Sequence, residues 1–268
     1  NNFRRGDFED IGEIDGDKLY EIITDRGGEG NNSYSCMPGC VIRCRNTYAD
    51  EDGNRLGACV QYETIGLMGS NCGINSLDVI AKMTHLANNI GLDTIEMGAT
   101  IAMLNDVDMY EFGDGERAIE LLEEIDKGSY LGRILGQGAE TTAKVLGIDR
   151  VPSVKGQAMP SYDPRGLKGN GVTYSTSPMG ADHTAGNAYG ARNTVDPLGK
   201  EEQIELSRGL QYKVASVVEN TGLCLFARPP VINDLEFLAE LINLRYDWDL
   251  DVEDIEEIGK EIIEAELD

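Results

Sequence analysis

Near its N-terminus the chain carries the stretch Cys36-Met37-Pro38-Gly39-Cys40-Val41-Ile42-Arg43-Cys44, in which three cysteines recur at regular spacing. Thiolates bind soft metals, and iron-sulfur clusters take most or all of their protein ligands from cysteine. Three clustered cysteines with one distant partner therefore predict an iron-sulfur cluster. The distant partner has to be Cys59, Cys72 or Cys224.

Zinc, disulfide bonds and buried structural cysteines are the alternatives for the six cysteines. Disulfide bonds are disfavoured because no N-terminal segment resembles a signal peptide and because disulfide scaffolds are usually far smaller than 268 residues. The spacing also differs from the two-residue spacing of ferredoxins and from the pattern of radical enzymes. A cluster is the favoured interpretation, with zinc and structural cysteines left open.

The charge and hydropathy of the chain disfavour some classes of binding partner. The formal net charge of -25 disfavours nucleic acids and anionic lipid surfaces. No apolar run reaches the roughly 18 to 20 residues of a membrane span, so we expect no membrane insertion and a cytoplasmic protein. Three arginines in or after the cysteine stretch, Arg43, Arg45 and Arg55, suit either a surface basic patch or a contact with a negatively charged cluster or electron carrier.

Helical periodicity dominates after the cysteine stretch. Ser76 is placed to cap a helix that Gly91 ends. Further helical patterns have apolar residues at helical spacing and run over Thr94 to Leu104, Glu116 to Asp126, Tyr130 to Leu146, Glu201 to Val218, Asp234 to Tyr246 and Val252 to Leu267. The predicted fold class is mostly α.

Two helical subdomains and one small β-hairpin complete the expected architecture. The hairpin is predicted from Val41–Tyr48 and Ala58–Thr64, which flank an Asp-Gly turn near the cysteine stretch. The segment before Ser35 is expected to be mainly loop. Prolines and glycines between Val151 and Asn170 predict a boundary, which gives domains over residues 1–160 and 161–268.

Five motifs occur in an order that resembles the tungsten-containing aldehyde:ferredoxin oxidoreductases over nearly the whole chain. They are the cysteine stretch, Tyr62-Glu63-Thr64, Gly91-Leu92-Asp93-Thr94-Ile95, Asp182-His183 and Gly222-Leu223-Cys224. The resemblance implies that Cys36, Cys40, Cys44 and Cys224 bind one four-iron four-sulfur cluster. Best-known members have two residues between the first two cysteines, whereas this chain has three. Cys59 and Cys72 are then expected to be buried apolar residues.

The resemblance also implies a tungsten or molybdenum bispterin. Two motifs of the same form would hold it: Asn88, Leu92 and Asp93 in the first, and Glu219 and Leu223 in the second. The first position of each motif is usually aspartate in the family, so Asn88 and Glu219 depart from the pattern. A metal between subunits is not expected, because Lys82 occupies the place of a ligand paired with His85.

Glu63 and His183 match the family's two acid-base residues, with Glu63 the expected base and His183 the expected donor. The resemblance implies oxidation of an aldehyde or related oxo compound to the carboxylic acid, with ferredoxin as the electron acceptor. Homo-oligomerisation is compatible with it.

Family members carry an N-terminal β-rich domain that completes the bispterin site, and this chain is expected to begin beyond it. The chain alone is then expected to have little or no activity. The rival hypothesis is a noncatalytic electron-transfer or scaffold subunit that uses the same fold and cluster without complete pterin binding.

Overall fold

The computed structural model describes residues 1–268, apart from the side chain of Ala58. It divides into two compact units, Asn1–Ser161 and Tyr162–Asp268. Twelve α-helices and two small antiparallel sheets are found among the described residues, which confirms the mostly α class.

The first unit combines seven helices with both sheets. Its helices are α1 (Gly16–Arg26), α2 (Tyr62–Thr64), α3 (Leu77–Ile90), α4 (Thr94–Met103), α5 (Gly115–Asp126), α6 (Tyr130–Leu135) and α7 (Ala139–Leu146). Its strands are β1 (Asn31–Tyr34), β2 (Arg45–Ala49), β3 (Arg55–Ala58), β4 (Ser153–Val154) and β5 (Gln157–Ala158). Short 3-10 turns lie at Ile11–Glu13, Ser70–Cys72 and Leu104–Val107, and a π-helical turn lies at Ile65–Gly69.

The second unit has its own small core. Its helices are α8 (Lys168–Thr176), α9 (Gln203–Val214), α10 (Pro229–Ile232), α11 (Leu235–Tyr246) and α12 (Val252–Leu267), with a 3-10 turn at Ala188–Ala191 and a π-helical turn at Ala215–Glu219. Buried Val217, Leu238 and Ile255 belong to this core. Helices α8 and α9 instead meet through polar groups, since the Thr173 and Ser207 hydroxyls lie 2.7 Å apart and both are buried.

Helix α3 forms as predicted. The Ser76 hydroxyl accepts from the Val79 N–H, and buried Ile80 and Met83 face the core. Gly91 ends the helix in the left-handed region at φ 87°, and its N–H donates to the Ala87 carbonyl at 2.9 Å. The predicted start and stop residues of this helix are confirmed.

The hairpin prediction is right about the turn but wrong about the second strand. That strand was predicted over Ala58–Thr64, whereas β3 is Arg55–Ala58 and Tyr62–Thr64 form α2. Strands β2 and β3 pair antiparallel around the turn, where the Asp50 carboxylate accepts from the Asn54 N–H at 2.8 Å. The first segment of the chain is more ordered than predicted, because it contains α1 and a third strand, β1, paired with β2. The polar sequence of β1 has no apolar alternation to reveal it.

One predicted helix, Tyr130 to Leu146, is two helices. Gly138 adopts φ 84°, a conformation that glycine favours and that ends helical continuity between α6 and α7. The Glu96 carboxylate accepts from the Ala139 N–H at 2.7 Å, so a side chain of α4 caps α7. The same carboxylate accepts from the Ala158 N–H at 3.0 Å and thereby fixes β5.

No helix in the part of the chain that the structure describes has the length and apolar character that crossing a bilayer requires.

Packing in the second unit predicts a contrast between two helical glycines. A Cβ at Gly259 of α12 would overlap the Tyr212 backbone oxygen, whereas a Cβ at Gly209 of α9 meets nothing within 4 Å. We expect Gly259→Ala to destabilise the chain by about 1–3 kcal/mol. Gly209→Ala should be neutral or stabilising by about 0.5–1 kcal/mol. Urea unfolding of both variants measures the contrast, and equal effects would contradict this packing.

Acid should weaken the salt bridge between Arg26 of α1 and Asp78 of α3. Arg26 donates to the Asp78 carboxylate at 2.6 and 2.9 Å, and this bonding lowers the pKa of Asp78. The folded-state pKa therefore lies below the unfolded value of about 3.9. The pair stabilises the fold above that unfolded value, and the contribution is lost as the pH falls through the lowered pKa.

Asp78→Asn should accordingly reduce stability at pH 7 and flatten the acid limb of a stability profile recorded by denaturant unfolding. Asp149→Asn, at an exposed position, is the matched control and should follow the wild type. An unchanged acid limb in Asp78→Asn would contradict the assignment.

Candidate functional site

The three clustered cysteines lie in the loop between β1 and β2. Cys36 and Cys44 are exposed, Cys40 is half-buried, and all three thiols are free. Gly39 turns the chain at φ 82°, and the Ser35 hydroxyl donates to the Cys40 carbonyl at 3.0 Å. The cysteines of the loop are thus accessible to solvent, while a hydrogen bond within the loop fixes its backbone.

Backbone N–H groups point at the middle thiol. Hydrogen bonds from the Arg43 and Ile42 backbone lower the pKa of Cys40. Arg43 itself is held at φ 51° by two bonds to Ser33, one from its guanidinium to the Ser33 carbonyl at 2.8 Å and one from the Ser33 hydroxyl to its own carbonyl at 3.0 Å. Backbone donors of this kind favour the thiolate, which is the form that binds metal.

The donor set of this loop suits an iron-sulfur cluster chemically, because it offers accessible thiols and backbone donors to sulfur. Among the described side chains, no three Cys, His, Asp or Glu residues are gathered in a metal-binding group. The fit therefore rests on the chemistry of the donors and on their exposure.

The two other cysteines of the first unit differ from each other. Cys72 is fully buried, as predicted, and burial raises the pKa of its thiol to about 12. The prediction of a buried apolar Cys59 is wrong: it is half-buried, and the Arg45 Nε donates to its Sγ at 2.8 Å. The Tyr34 hydroxyl lies 3.8 Å from the same sulfur, and the Arg45 guanidinium stacks over the Tyr34 ring. The sequence does not reveal this cluster, because its members come from three separate segments: Tyr34 from β1, Arg45 from β2 and Cys59 from the residue after β3.

Glu63 lies in α2 and is half-buried. The Ser161 N–H donates to its Oε2 at 2.8 Å, which fixes the orientation of the carboxylate from a residue 98 positions away. A Cβ at Gly66 would overlap the Ser161 hydroxyl, so glycine is needed for Ser161 to approach. No sequence motif indicated Ser161.

The first glycine-leucine motif follows α3 and is joined to the Glu63 helix. Asp93 is exposed and its carboxylate caps α4 by accepting from the Glu96 N–H at 2.8 Å. Leu92 packs partly against the core, and Asn88 is exposed on the last turn of α3. The hydroxyls of Thr64 and Thr94 lie 2.8 Å apart. The structure thus brings Glu63 and the motif at Asp93 close together through their neighbours.

In the second unit, His183 is stacked on an aromatic ring. The rings of His183 and Tyr162 lie 5.6 Å apart at 18°, and Tyr189 packs edge-on against Tyr162 at 5.9 Å. The buried Tyr174 donates its hydroxyl proton to the Tyr162 carbonyl at 2.9 Å. Asp182 accepts from the Thr184 N–H at 2.7 Å, which fixes the turn that carries His183. Stacking sets the plane of the imidazole.

The second glycine-leucine motif follows the π-helical turn Ala215–Glu219. Gly222 adopts φ 68°, Leu223 packs partly against the core of this unit, and Cys224 is exposed with a free thiol. Partial burial raises the pKa of Glu219, and the negative charges of Glu266 and Asp182 raise it further.

Comparison with known proteins identifies the family. The family described as "Aldehyde ferredoxin oxidoreductase, domains 2 & 3" matches residues 1–266. These residues are almost the whole chain and include both glycine-leucine motifs and all of the cysteines. The chain therefore belongs to the aldehyde ferredoxin oxidoreductase family.

Curated relatives support this membership. The chain is 29% identical over 252 residues to the tungsten-containing aldehyde ferredoxin oxidoreductase of Pyrococcus horikoshii, covering 85% of this chain and 40% of that protein. The enzyme of the same name from Pyrococcus abyssi is 28% identical over 289 residues, covering 99% and 46%. An "aliphatic sulfonate oxidoreductase, WOR-like subunit" of Pyrococcus furiosus is 25% identical over 188 residues, covering 62% and 30%. The chain spans less than half the length of these relatives.

Thiol accessibility yields a direct prediction. In the iron-free reduced chain, iodoacetamide should alkylate the exposed Cys36, Cys44 and Cys224 well before Cys72, whose burial leaves little thiolate. Mass spectrometry of a time course measures the order. A urea-unfolded sample is the control and should react at all cysteines alike. Reaction of Cys72 in the folded chain at the rate of Cys44 would contradict the structure.

Proposed function

We propose that this chain is the helical, cluster-bearing part of an oxidoreductase that converts an aldehyde or related oxo compound to the carboxylic acid. The observation that carries the proposal is the fixed Glu63 carboxylate, held by Ser161 and joined through the hydroxyls of Thr64 and Thr94 to the motif at Asp93. An acid-base group is thereby held beside a motif that, by resemblance, holds pterin. The names of the relatives agree with this class of reaction.

Cys36, Cys40 and Cys44 with Cys224 are the proposed ligands of one four-iron four-sulfur cluster. Their accessible thiols and the backbone donors at Cys40 support this assignment. When bound by these four cysteines, such a cluster would supply electron transfer to ferredoxin or a related carrier. A reducing compartment such as the cytoplasm suits these thiols, since they are kept reduced there.

Asn88, Leu92 and Asp93 of the first unit and Glu219 and Leu223 of the second are the proposed contacts of a tungsten or molybdenum bispterin. When bound, that cofactor supplies the two-electron redox chemistry. The left-handed turns at both glycines leave backbone groups and side-chain oxygens near helix ends, where a heterocycle rich in amide and amine donors finds acceptors. Asp93 retains one carboxylate oxygen beyond the one that caps α4.

Glu63 is the proposed base and His183 the proposed donor. Oxidation of an aldehyde to an acid adds the oxygen of water to the carbonyl carbon and releases two electrons and two protons. Glu63 would take a proton from that water, and the Ser161 N–H would keep the carboxylate aimed during the transfer. His183, with its ring plane set by Tyr162, would donate a hydrogen bond to the carbonyl oxygen.

Substitution of the acid-base residues tests this function. In the cofactor-loaded protein, Glu63→Gln and His183→Asn should each lower kcat for aldehyde oxidation by about 10²–10⁴-fold, the usual contribution of a positioned acid or base. Ferredoxin or viologen reduction measures the rate. Glu261→Gln, at an exposed position of α12, is the matched control and should keep the wild-type rate. Full activity in Glu63→Gln, with iron retained, would contradict the assignment.

The rival function, a noncatalytic electron-transfer or scaffold subunit, is favoured by one observation. Asn88 replaces the carboxylate that the family usually has at the first position of the motif, and it lies exposed on α3. A protein that holds a cluster and transfers electrons, yet oxidises no aldehyde even with cofactor supplied, would support the rival.

A further inference from the structure

Arg228 carries an unusual guanidinium. Its Nη1 atom is buried and has no hydrogen-bond partner among the described residues. Burial alone lowers the pKa of Arg228, and no carboxylate opposes that effect. This is unexpected in a chain with a net charge of -25, where 48 acidic side chains are available as partners.

The backbone at Arg228 is fixed on both sides. Before it, the Ala227 N–H donates to the Cys224 carbonyl at 2.9 Å and closes a turn. After it, the N–H groups of Val231 and Ile232 donate to the Arg228 carbonyl at 2.9 and 2.8 Å, and two prolines restrict the chain. These hydrogen bonds and prolines therefore fix the backbone position of Arg228, four residues beyond Cys224.

A desolvated cation without a counter-charge destabilises a fold. Removing a guanidinium nitrogen from water without a replacement hydrogen bond costs free energy, and the cost is recovered only when an anion or acceptor approaches. Arg228 is half-buried as a residue, so part of its surface is accessible to a group that arrives from outside. The nearest functional group in sequence is the free thiol of Cys224.

We propose that Arg228 is the counter-cation of the iron-sulfur cluster that Cys224 helps to bind, and that it raises the reduction potential of this cluster. The inference rests on the proposed function. A cluster held by thiolates carries net negative charge, and nearby charge and hydrogen bonds to sulfur set its potential. Arg228 is a positioning residue: it places positive charge beside the cluster and takes no part in the acid-base chemistry of Glu63 and His183.

This role predicts opposite effects of one substitution in two states of the protein. In the iron-free chain, Arg228→Met should raise the denaturation midpoint, because an unpaired desolvated cation is replaced by an unbranched apolar side chain. In the cluster-loaded protein, the same substitution should move the midpoint potential to a more negative value at unchanged iron content. A purely structural arginine would show neither the gain in stability nor the change in potential.

The experiment compares wild type with Arg228→Met, Arg228→Lys and Arg208→Met. Arg208 lies exposed on α9, so its substitution removes the same charge without touching the Cys224 turn. Urea unfolding of the iron-free chain and an EPR-monitored redox titration of the loaded protein are recorded for each. We expect Arg228→Lys to keep most of the wild-type potential and Arg208→Met to match the wild type in both measurements.

The outcomes separate this inference from the function on which it rests. A wild type that binds no cluster overturns both. A cluster of unchanged potential in Arg228→Met overturns the inference alone, as does a lowered unfolding midpoint of that variant without iron. Loss of bound pterin from Arg228→Met at unchanged cluster potential would assign the guanidinium to a pterin phosphate and would also overturn it.

Discussion

The hydrogen bond between the hydroxyls of Thr64 and Thr94 is the contact on which the first unit's candidate site depends. It joins the short helix that carries Glu63 to the start of α4, which Asp93 caps. Helix α4 is almost entirely buried, and Gly98 lets it approach the backbone of Leu67 in the π-helical turn after α2. A larger residue at Gly98 would push these segments apart and with them the carboxylate and the motif.

The second unit uses a similar construction for different residues. Here the left-handed glycine, Gly222, comes three residues after the π-helical turn Ala215–Glu219, and the chain continues through Cys224 to Arg228. The first motif thus has its carboxylate partly occupied in capping α4, whereas the second presents a free thiol and a buried cation. Motifs that look alike in sequence acquire different chemistry from the segments that follow them.

Local signals predicted much of the fold. The cap at Ser76, the glycine at Gly91 and the periodicity of the last helix gave correct bounds, because each depends on residues within a few positions. Three predictions were wrong because contacts between distant residues decide them. They are the single helix expected across Gly138, the loop expected where strand β1 lies, and the buried apolar Cys59. Ser161 was missed for the same reason: its bond to Glu63 joins residues 98 positions apart. The proposed ligands and pterin contacts stay predictions.

The central claim is that four cysteines, Cys36, Cys40, Cys44 and Cys224, hold one cluster in a tungsten or molybdenum pterin protein. The most direct measurement is the iron, acid-labile sulfide, tungsten and molybdenum content of anaerobically purified wild type beside Cys224→Ala and Cys72→Ala. The account predicts about four iron per chain in wild type and Cys72→Ala, a marked loss in Cys224→Ala, and tungsten or molybdenum in the protein that carries its full pterin site. Equal iron in Cys224→Ala and wild type, or no iron in any of them, would contradict it.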